Sequence, residues 1–168
     1  MNNKDFKEIL NGNKEILSQY LISYSKGFYK IAYAITGNYY DAEDAISSTT
    51  IKICEKIYTL QNASFFKTWA TRILINECKD LLRKNSKVES IDESTSKSTD
   101  EIKYLSIAIR DIIKKLNETH QEIIILYYFD NYTVTEISRI LDIPKGTVKS
   151  RLARARDELK KLNLEELL

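Results

Sequence analysis

A row of side chains in segment 64–84 combines aromatic rings, an amide and cations. Its members recur every three or four residues: Phe65, Trp69, Arg72, Asn76, Lys79 and Arg83. Aromatic rings can stack on unpaired bases, an amide can pair with a base edge, and cations can hold the phosphate backbone. The row therefore favours a platform for single-stranded nucleic acid, but Phe65 and Trp69 would also suit the rim of a domain core.

A second candidate surface lies in segment 144–161, which contains seven basic and two acidic residues. Helical spacing places five residues in one apolar stripe about 80° wide, which predicts a packed face: Val148, Leu152, Ala155, Leu159 and Leu162. The opposite polar face suits the major groove of DNA. We assign base edges to Lys149, Ser150 and Arg154, close approach to Ala153, and phosphates to Lys145, Arg151 and Arg156; Thr147 shares this face.

No cluster of residues indicates catalysis or metal binding. Asp41, Glu43 and Asp44 lie close together, but the positive end of a helix dipole already explains acids at a helix start. His120 is the only histidine, and it has no neighbouring metal-ligand motif. We therefore expect no catalytic residues, no metal, no cofactor and no small-molecule substrate.

The composition predicts an all-helical chain to position both surfaces. Its 168 residues include four glycines and one proline, where average usage would give about twenty. Apolar spacing predicts helices over 3–23, 25–37, 40–60 and 64–84, and over 101–115, 119–129, 133–141 and 145–162. We expect Gly37 and Asn38 to end the second helix, Asp41 to cap the third and Ser64 to cap the fourth.

Residues 85–100 predict a flexible acidic linker between two helical domains, 1–84 and 101–168. This stretch contains seven Ser or Thr residues, four acids and two aliphatic residues, too little apolar surface to offset the entropy of ordering. In the second domain, the helix over 133–141, the break at 142–144 and the helix from 145 have helix-turn-helix spacing.

The sequence predicts a cytoplasmic location. It contains no run of about 18 apolar residues that could span a bilayer, and its first ten residues lack the apolar core of a signal peptide. We therefore expect no direct membrane insertion. Cys54 and Cys78 are expected to be buried thiols in a reducing compartment.

Two motif blocks together resemble the sigma-70 superfamily, in its smallest form, the extracytoplasmic-function (ECF) RNA polymerase sigma factors. The first block is DAEDA at 41–45 with SFFKTWATRILINECKDLLRK at 64–84, and the second is LNETHQEIIILYYFDNYTVTEISRILDIPKGTVKSRLARARDEL at 116–159. The likeness covers roughly 28–159. It implies an all-α fold with a region 2 helical bundle and a region 4 helix-turn-helix domain.

The resemblance also implies a transcription initiation factor that binds core RNA polymerase and promoter DNA. Docking on the β′ coiled coil would involve Asp41, Glu43, Asp44, Ser47, Ser48 and Ile51. Melting and reading of the minus-ten element would involve Asn62, Ser64, Phe65, Trp69, Arg72, Asn76, Lys79 and Arg83. The minus-thirty-five element would be read by Lys145, Thr147, Lys149, Ser150, Arg151, Ala153, Arg154 and Arg156. An outer apolar surface near Ile123 to Tyr132 would contact the β flap.

Some positions depart from the family's pattern, and other functions remain open. Ser47 and Ser48 replace a usual Gln-Glu pair, Thr50 replaces a common Phe, and Asn117 replaces a frequent proline. The family further implies an anti-sigma factor, which could hold the protein at the membrane. The alternatives are a conventional helix-turn-helix regulator with a helical sensing or dimerisation domain, and a helical adaptor that binds only protein. The row from Phe65 to Arg83 favours the sigma factor, because a reader of duplex DNA needs no stacking row.

Overall fold

The computed structural model describes residues 1–85 and 113–161, and within these ranges it contains seven α-helices and no strand. The all-α prediction is thereby confirmed. The helices are α1 (Asn3–Leu10), α2 (Lys14–Thr36), α3 (Tyr39–Lys56), α4 (Phe66–Asn85), α5 (Glu118–Ile124), α6 (Val134–Leu141) and α7 (Lys145–Lys161). No helix among the described residues is both long enough and apolar enough to cross a membrane.

The chain divides into two units, Met1–Leu82 and Arg83–Leu168. The predicted domain bounds at 84 and 101 stay a prediction, and residues 86–100 of the predicted linker lie outside the described part of the chain. The predicted helix over 101–115 falls mostly outside it as well.

The first two helices divide at a different place from the predicted one. We expected helices over 3–23 and 25–37, but α2 runs unbroken through residue 24, and the break lies at Asn11 to Asn13. Gly12 has φ of 97° there, which glycine adopts without the strain that a Cβ would cause. The rings of Tyr20, Tyr24 and Phe28 stack at successive turns of α2, with centroids 6.4 and 6.1 Å apart.

Asparagine side chains cap four of the seven α-helices in the described ranges. Asn38 caps α3 by accepting a hydrogen bond from the Asp41 N–H at 2.7 Å. The prediction that Asp41 itself is the cap is therefore wrong, because the helix starts one turn earlier. Gly37 ends α2 in the left-handed conformation, with φ of 81°, as the predicted break at Gly37 and Asn38 requires.

The predicted cap of α4 is also wrong. A 3₁₀ turn, Ala63–Phe65, leads into α4, and Asn62 caps that turn. The Asn62 Oδ1 accepts hydrogen bonds from the Ser64 N–H at 2.9 Å and from the Ser64 hydroxyl at 2.7 Å. Ser64 is thus a donor to the capping side chain, and α4 begins two residues later.

The core of the first unit forms around Phe66, whose side chain is fully buried. Its ring centroid lies 6.0 Å from that of Tyr20 and 6.1 Å from those of Tyr24 and Trp69. These distances are typical of favourable aromatic pairs. Phe66 therefore joins the long helix α2 to the start of α4.

Helix α3 packs inward mainly through small residues and Ile53. Ala42, Ala45 and Thr49 are buried with Ile53, whereas Ile46 is only half-buried. An ion pair between Lys52 and Glu77 links α3 to α4, and this hydrogen bond raises the pKa of Lys52.

The two cysteines differ in environment, so the prediction of two buried thiols is wrong for Cys54. Cys78 is fully buried on α4, and its burial raises its thiol pKa to about 12. Cys54 follows the inward-facing Ile53 on α3, and the helical turn of 100° between neighbours places it on the exposed side.

We expect a thiol reagent such as iodoacetamide to alkylate Cys54 selectively in the folded protein at pH 8. The raised pKa leaves almost no thiolate at Cys78, and burial excludes the reagent. Peptide mass spectrometry after a short pulse checks this result, and unfolding in guanidinium should make both thiols reactive. Equal labelling of both cysteines in the native protein would contradict the assignment.

The second unit contains the predicted helix-turn-helix. Thr133 and Glu136 form a reciprocal capping box that begins α6. Asp142 ends α6 with φ of 56°, and the Ser138 hydroxyl donates to the Ile143 carbonyl at 2.6 Å, which closes the turn before Pro144. The turn between α6 and α7 is thus held by the Ser138 side chain.

The predicted packing stripe of α7 is confirmed for its described members. Val148, Leu152, Ala155 and Leu159 are all buried, and Leu162 lies outside the described residues. On α6, Ile137 and Ile140 are buried, whereas Leu141, whose spacing also predicts an inward position, is half-buried. The apolar period of α7 therefore determines which of its faces reaches solvent.

Candidate nucleic-acid interface

The row of aromatic, amide and basic side chains on α4 lies at the surface of the first unit. Arg72, Asn76 and Arg83 are exposed, and Trp69 and Lys79 are half-buried. Phe65, in the turn just before α4, is 38% exposed. This row faces solvent because Ala70, Leu74 and Cys78 occupy the inward side of α4. Leu81, which continues this side by helical spacing, is only half-buried.

The two aromatic residues of the row differ in their contacts with the core. The Trp69 ring packs against Phe66 at 6.1 Å between centroids, so Trp69 is part of the core rim and of the surface at once. Phe65 turns away from the core that its neighbour Phe66 fills, as their exposures show. Trp69 therefore fits both interpretations, as part of the core rim and as a stacking surface. Phe65, which is more exposed, is the better stacking candidate.

The loop before α4 presents two further candidate residues, Asn62 and Ser64, and both are exposed. The Ser64 hydroxyl donates to the Asn62 Oδ1, as described above, so the two side chains are joined. Asn62 also fixes the 3₁₀ turn that contains Phe65. Asn62 therefore shapes the loop, in addition to any contact that it makes with nucleic acid.

The candidate reading face of α7 is exposed along its whole length. Its exposed members are Lys145, Lys149, Ser150, Ala153 and Arg154, and Thr147 and Arg151 are half-buried. The Ser150 hydroxyl donates to the Thr147 carbonyl at 3.1 Å. Small Ala153 leaves room beside Arg154, so the face can approach a groove wall closely.

Arg156 differs from the other basic residues of α7. Its Nε donates a hydrogen bond to the Tyr128 hydroxyl at 3.1 Å. Its guanidinium carbon lies 5.3 Å from the Tyr127 ring centroid and 5.9 Å from that of Tyr128. The hydrogen bond with Tyr128 raises the pKa of Arg156. This cation therefore already has partners inside its own unit.

The outward face of α3 combines acidic, hydroxyl and apolar side chains. Glu43, Asp44 and Ser47 are exposed, Asp41 and Ser48 are half-buried, and Ile51 is 60% exposed. The sequence reasoning missed Tyr40, which is 54% exposed on the same stripe. Its spacing of 11 residues from Ile51 repeats the helical period, and this signal could have revealed it. Tyr58, 72% exposed, lies just beyond α3 in the 3₁₀ turn Ile57–Thr59.

The expected apolar surface near Ile123 to Tyr132 is wrong for its aliphatic residues. Ile123, Ile124, Ile125, Leu126 and Tyr132 are fully or almost fully buried in the second unit. They face inward because this segment supplies the core against which α7 packs. Among the apolar residues of this segment, only the half-buried Tyr127, Tyr128 and Phe129 remain partly accessible.

Within residues 1–85 and 113–161, no three His, Cys, Asp or Glu side chains group as metal ligands would. His120 binds Glu158 through its Nδ1 at 2.6 Å. His120 lies on α5 and Glu158 on α7, so this contact joins two helices of the second unit.

Comparison with known proteins identifies both units. The family model for sigma-70 region 2 matches residues 21–88, and that for sigma-70 region 4 matches residues 106–159. ECF RNA polymerase sigma factor SigW of Bacillus subtilis is 28% identical over 176 residues, which cover 94% of each chain. The ECF RNA polymerase sigma-E factor of Salmonella typhi is 30% identical over 137 residues, 71% of this chain and 72% of that protein.

Solved structures show the same helical architecture. The sigma factor RpoE of Bartonella quintana, solved with the anti-sigma factor NepR, is 25% identical, with a TM-score of 0.70 over 87% of this chain and 95% of RpoE. CnrH, solved with the cytosolic domain of CnrY, has a TM-score of 0.78 over 94% of each chain. Its identity of 18% supports the fold alone.

Proposed function

The chain belongs to the ECF RNA polymerase sigma factors of the sigma-70 family, and we propose that it opens promoters after docking on core polymerase through α3. In this proposal α4 reads the minus-ten element and α7 reads the minus-thirty-five element. The protein acts by binding and not by catalysis. The observation that carries the proposal is the exposed α4 row, since a helix-turn-helix alone would equally suit a conventional regulator.

The α4 row is proposed to hold the melted strand of the minus-ten element. Phe65 and Trp69 offer ring faces for stacking, which is worth about 1–3 kcal/mol per base. Asn76 offers a paired donor and acceptor for a base edge, and Arg72, Lys79 and Arg83 neutralise the backbone. Asn62 and Ser64 would form the loop that receives a flipped base, whose unstacking costs a few kcal/mol.

Helix α7 is proposed to enter the major groove of the minus-thirty-five element. Lys149, Ser150 and Arg154 would contact base edges, since forked and short polar side chains suit the groove's donors and acceptors. Thr147 and Ala153 line the same face, and Lys145 and Arg151 would bind phosphates. Such phosphate contacts set the register of the helix without reading sequence.

The outward face of α3 is proposed to dock on the β′ coiled coil of core polymerase. Asp41, Glu43, Asp44, Ser47 and Ser48 lie in the turns of α3 that precede Ile51, and an exposed apolar side chain beside polar ones is typical of interface anchors. A contact with the β flap would depend on the partly accessible Tyr127 to Phe129. Because Cys54 lies on the same side of α3, bound core should protect it from alkylation.

An anti-sigma factor is a further proposed partner, and promoter DNA and core polymerase are the others. The related RpoE of Bartonella quintana was solved with its anti-sigma factor NepR. We propose a cytoplasmic location, where an anti-sigma factor in the membrane could retain the protein. Co-purification from cells with and without the inducing stress would detect such a partner.

Transcription reconstituted with purified core polymerase tests the proposed function. Start sites mapped after overexpression in cells supply the promoter panel. We expect transcripts only when core and this protein are both present. Tight duplex binding by the free protein, with no affinity for core and no transcript from any promoter, would instead favour a conventional regulator.

Replacing Arg154 with alanine is expected to reduce discrimination between matched and mismatched minus-thirty-five sequences by about 1–3 kcal/mol, since a bidentate base contact is worth that much. Competition binding of the holoenzyme to both duplexes measures the change. Lys160→Ala, which removes a cation from the end of the same helix, is the control and should leave the ratio unchanged. A wild-type ratio of one would refute the assignment of α7.

A further inference from the structure

Arg156 makes three contacts with two neighbouring tyrosines. Its Nε donates to the Tyr128 hydroxyl at 3.1 Å, and its guanidinium lies over both the Tyr127 and Tyr128 rings. The two rings are 5.0 Å apart at an interplanar angle of 73°, so they form two walls around one cation. An arginine held by a hydrogen bond and by ring faces loses much of its freedom to reach for a phosphate.

The backbone at the tyrosines has an unusual geometry that makes this arrangement possible. Helix α5 continues as a π-helical turn over Ile125–Phe129, and the Tyr132 N–H closes it with a hydrogen bond to the Leu126 carbonyl at 3.1 Å. Such turns are rare and are found frequently at functional sites. Here the turn allows two consecutive tyrosines to face the same side chain of α7.

A second polar contact holds α7 to α5 nearby. The His120 Nδ1 and Glu158 Oε2 atoms are 2.6 Å apart, and the His120 side chain is 14% exposed. Ala155 and Leu159, which flank Arg156 and Glu158 along α7, are buried. The end of α7 after Arg154 is therefore attached by both apolar and polar contacts, while Lys149, Ser150 and Arg154 precede it on the exposed face.

We propose that Arg156 positions the reading helix α7 through Tyr127 and Tyr128 and does not bind a DNA phosphate. The inference rests on the proposed reading of the minus-thirty-five element by α7. In the sequence Arg156 is one of several equivalent cations. The contacts instead make it a positioning residue, because a small rotation of α7 about its axis would move Arg154 away from its base edge.

Tyr128→Phe gives the sharpest test. This change removes the hydroxyl that accepts from Arg156, keeps the ring, and alters no charge near DNA. With the full-length protein in holoenzyme, we expect the binding ratio between a mapped promoter duplex and the same duplex with a scrambled minus-thirty-five element to fall about three- to tenfold, the effect of one lost hydrogen bond. Arg156→Gln should lower the ratio at least as much, and the double variant no further than Arg156→Gln alone.

The salt dependence of binding separates the two roles of Arg156. Loss of a phosphate contact reduces the slope of log K against log salt by about 0.9. We expect no such reduction for Arg156→Gln or Tyr128→Phe, whereas the control Lys145→Gln should show it. Thermal unfolding of each variant verifies that binding is measured on folded protein.

The outcomes distinguish this proposal from the proposed function. If wild-type holoenzyme binds the matched and scrambled duplexes equally, the assignment of α7 as a reader fails and the positioning role fails with it. If wild type discriminates but Tyr128→Phe retains the full ratio, the positioning role alone is overturned. If Arg156→Gln lowers the salt slope by about 0.9, the positioning role is likewise overturned and Arg156 is a phosphate contact.

Discussion

Replacement of Phe66 with alanine is expected to lower the free energy of unfolding of the first unit by about 3–5 kcal/mol, the range for large aromatic residues truncated in a core. Phe66 is fully buried and contacts the rings of Tyr20, Tyr24 and Trp69. Its removal leaves a cavity where α2 meets α4. Trp69 is the only tryptophan in the chain, so its fluorescence during urea unfolding reports on this unit.

The neighbouring residue provides a matched control for this variant. Phe65→Ala removes the same ring from a side chain that is 38% exposed, so the loss of stability should be well under half that of Phe66→Ala. Its effect should appear in promoter opening, because a stacking partner worth about 1–3 kcal/mol per base is lost. Permanganate footprinting of the minus-ten element measures this opening. Equal destabilisation by the two variants would mean that Phe65 belongs to the core and not to the DNA surface.

Ile51→Asp is expected to weaken binding to core polymerase by at least about 2 kcal/mol, or about 30-fold, with little change in the unfolding transition. Ile51 is 60% exposed on α3, so its truncation leaves no cavity. The added carboxylate would have to lose its water within the proposed interface, on a face that already carries Asp44 two helical turns away. Fluorescence anisotropy of labelled protein titrated with core measures the change.

Lys56→Gln is the matched control for Ile51→Asp, because it changes the net charge by the same amount on the same helix. Lys56 is exposed at the end of α3, on a different side from Ile51 according to helical spacing. Its affinity for core should stay near that of wild type. If both variants bind core as wild type does, α3 does not dock through this face.

The sequence was most informative where one helix face must be buried. The stripe from Val148 to Leu159 predicted both the packing of α7 and, by exclusion, its exposed polar face, and the structure agrees for every described member. The α4 row follows the same logic. Because Ala70, Leu74 and Cys78 are buried on the inward side of α4, the row must lie on the outward side. The helix-turn-helix was equally visible, since Pro144 cannot continue a helix.

Helix ends were less predictable, because several nearby residues could cap the same turn. Asn38 and Asp41 both have suitable side chains for the start of α3, and the local sequence does not decide between them. The division of α1 from α2 shows the same ambiguity. Gly12 provides a break, but the continuity of α2 past Tyr24 depends on ring contacts with Phe28 and with Phe66, which is 42 positions away in the sequence.

The sequence by itself determined the helical class, the two motif blocks and the faces of α4 and α7, because each of these depends on residues within a few turns of one another. Only the tertiary structure decided the partners of Arg156. Tyr128 is 28 positions away in the sequence, and no helical period relates the two residues. A cation on a basic helix has the same local pattern whether it binds a phosphate or two rings, so the distinction required the packing of α7 against the segment that follows α5.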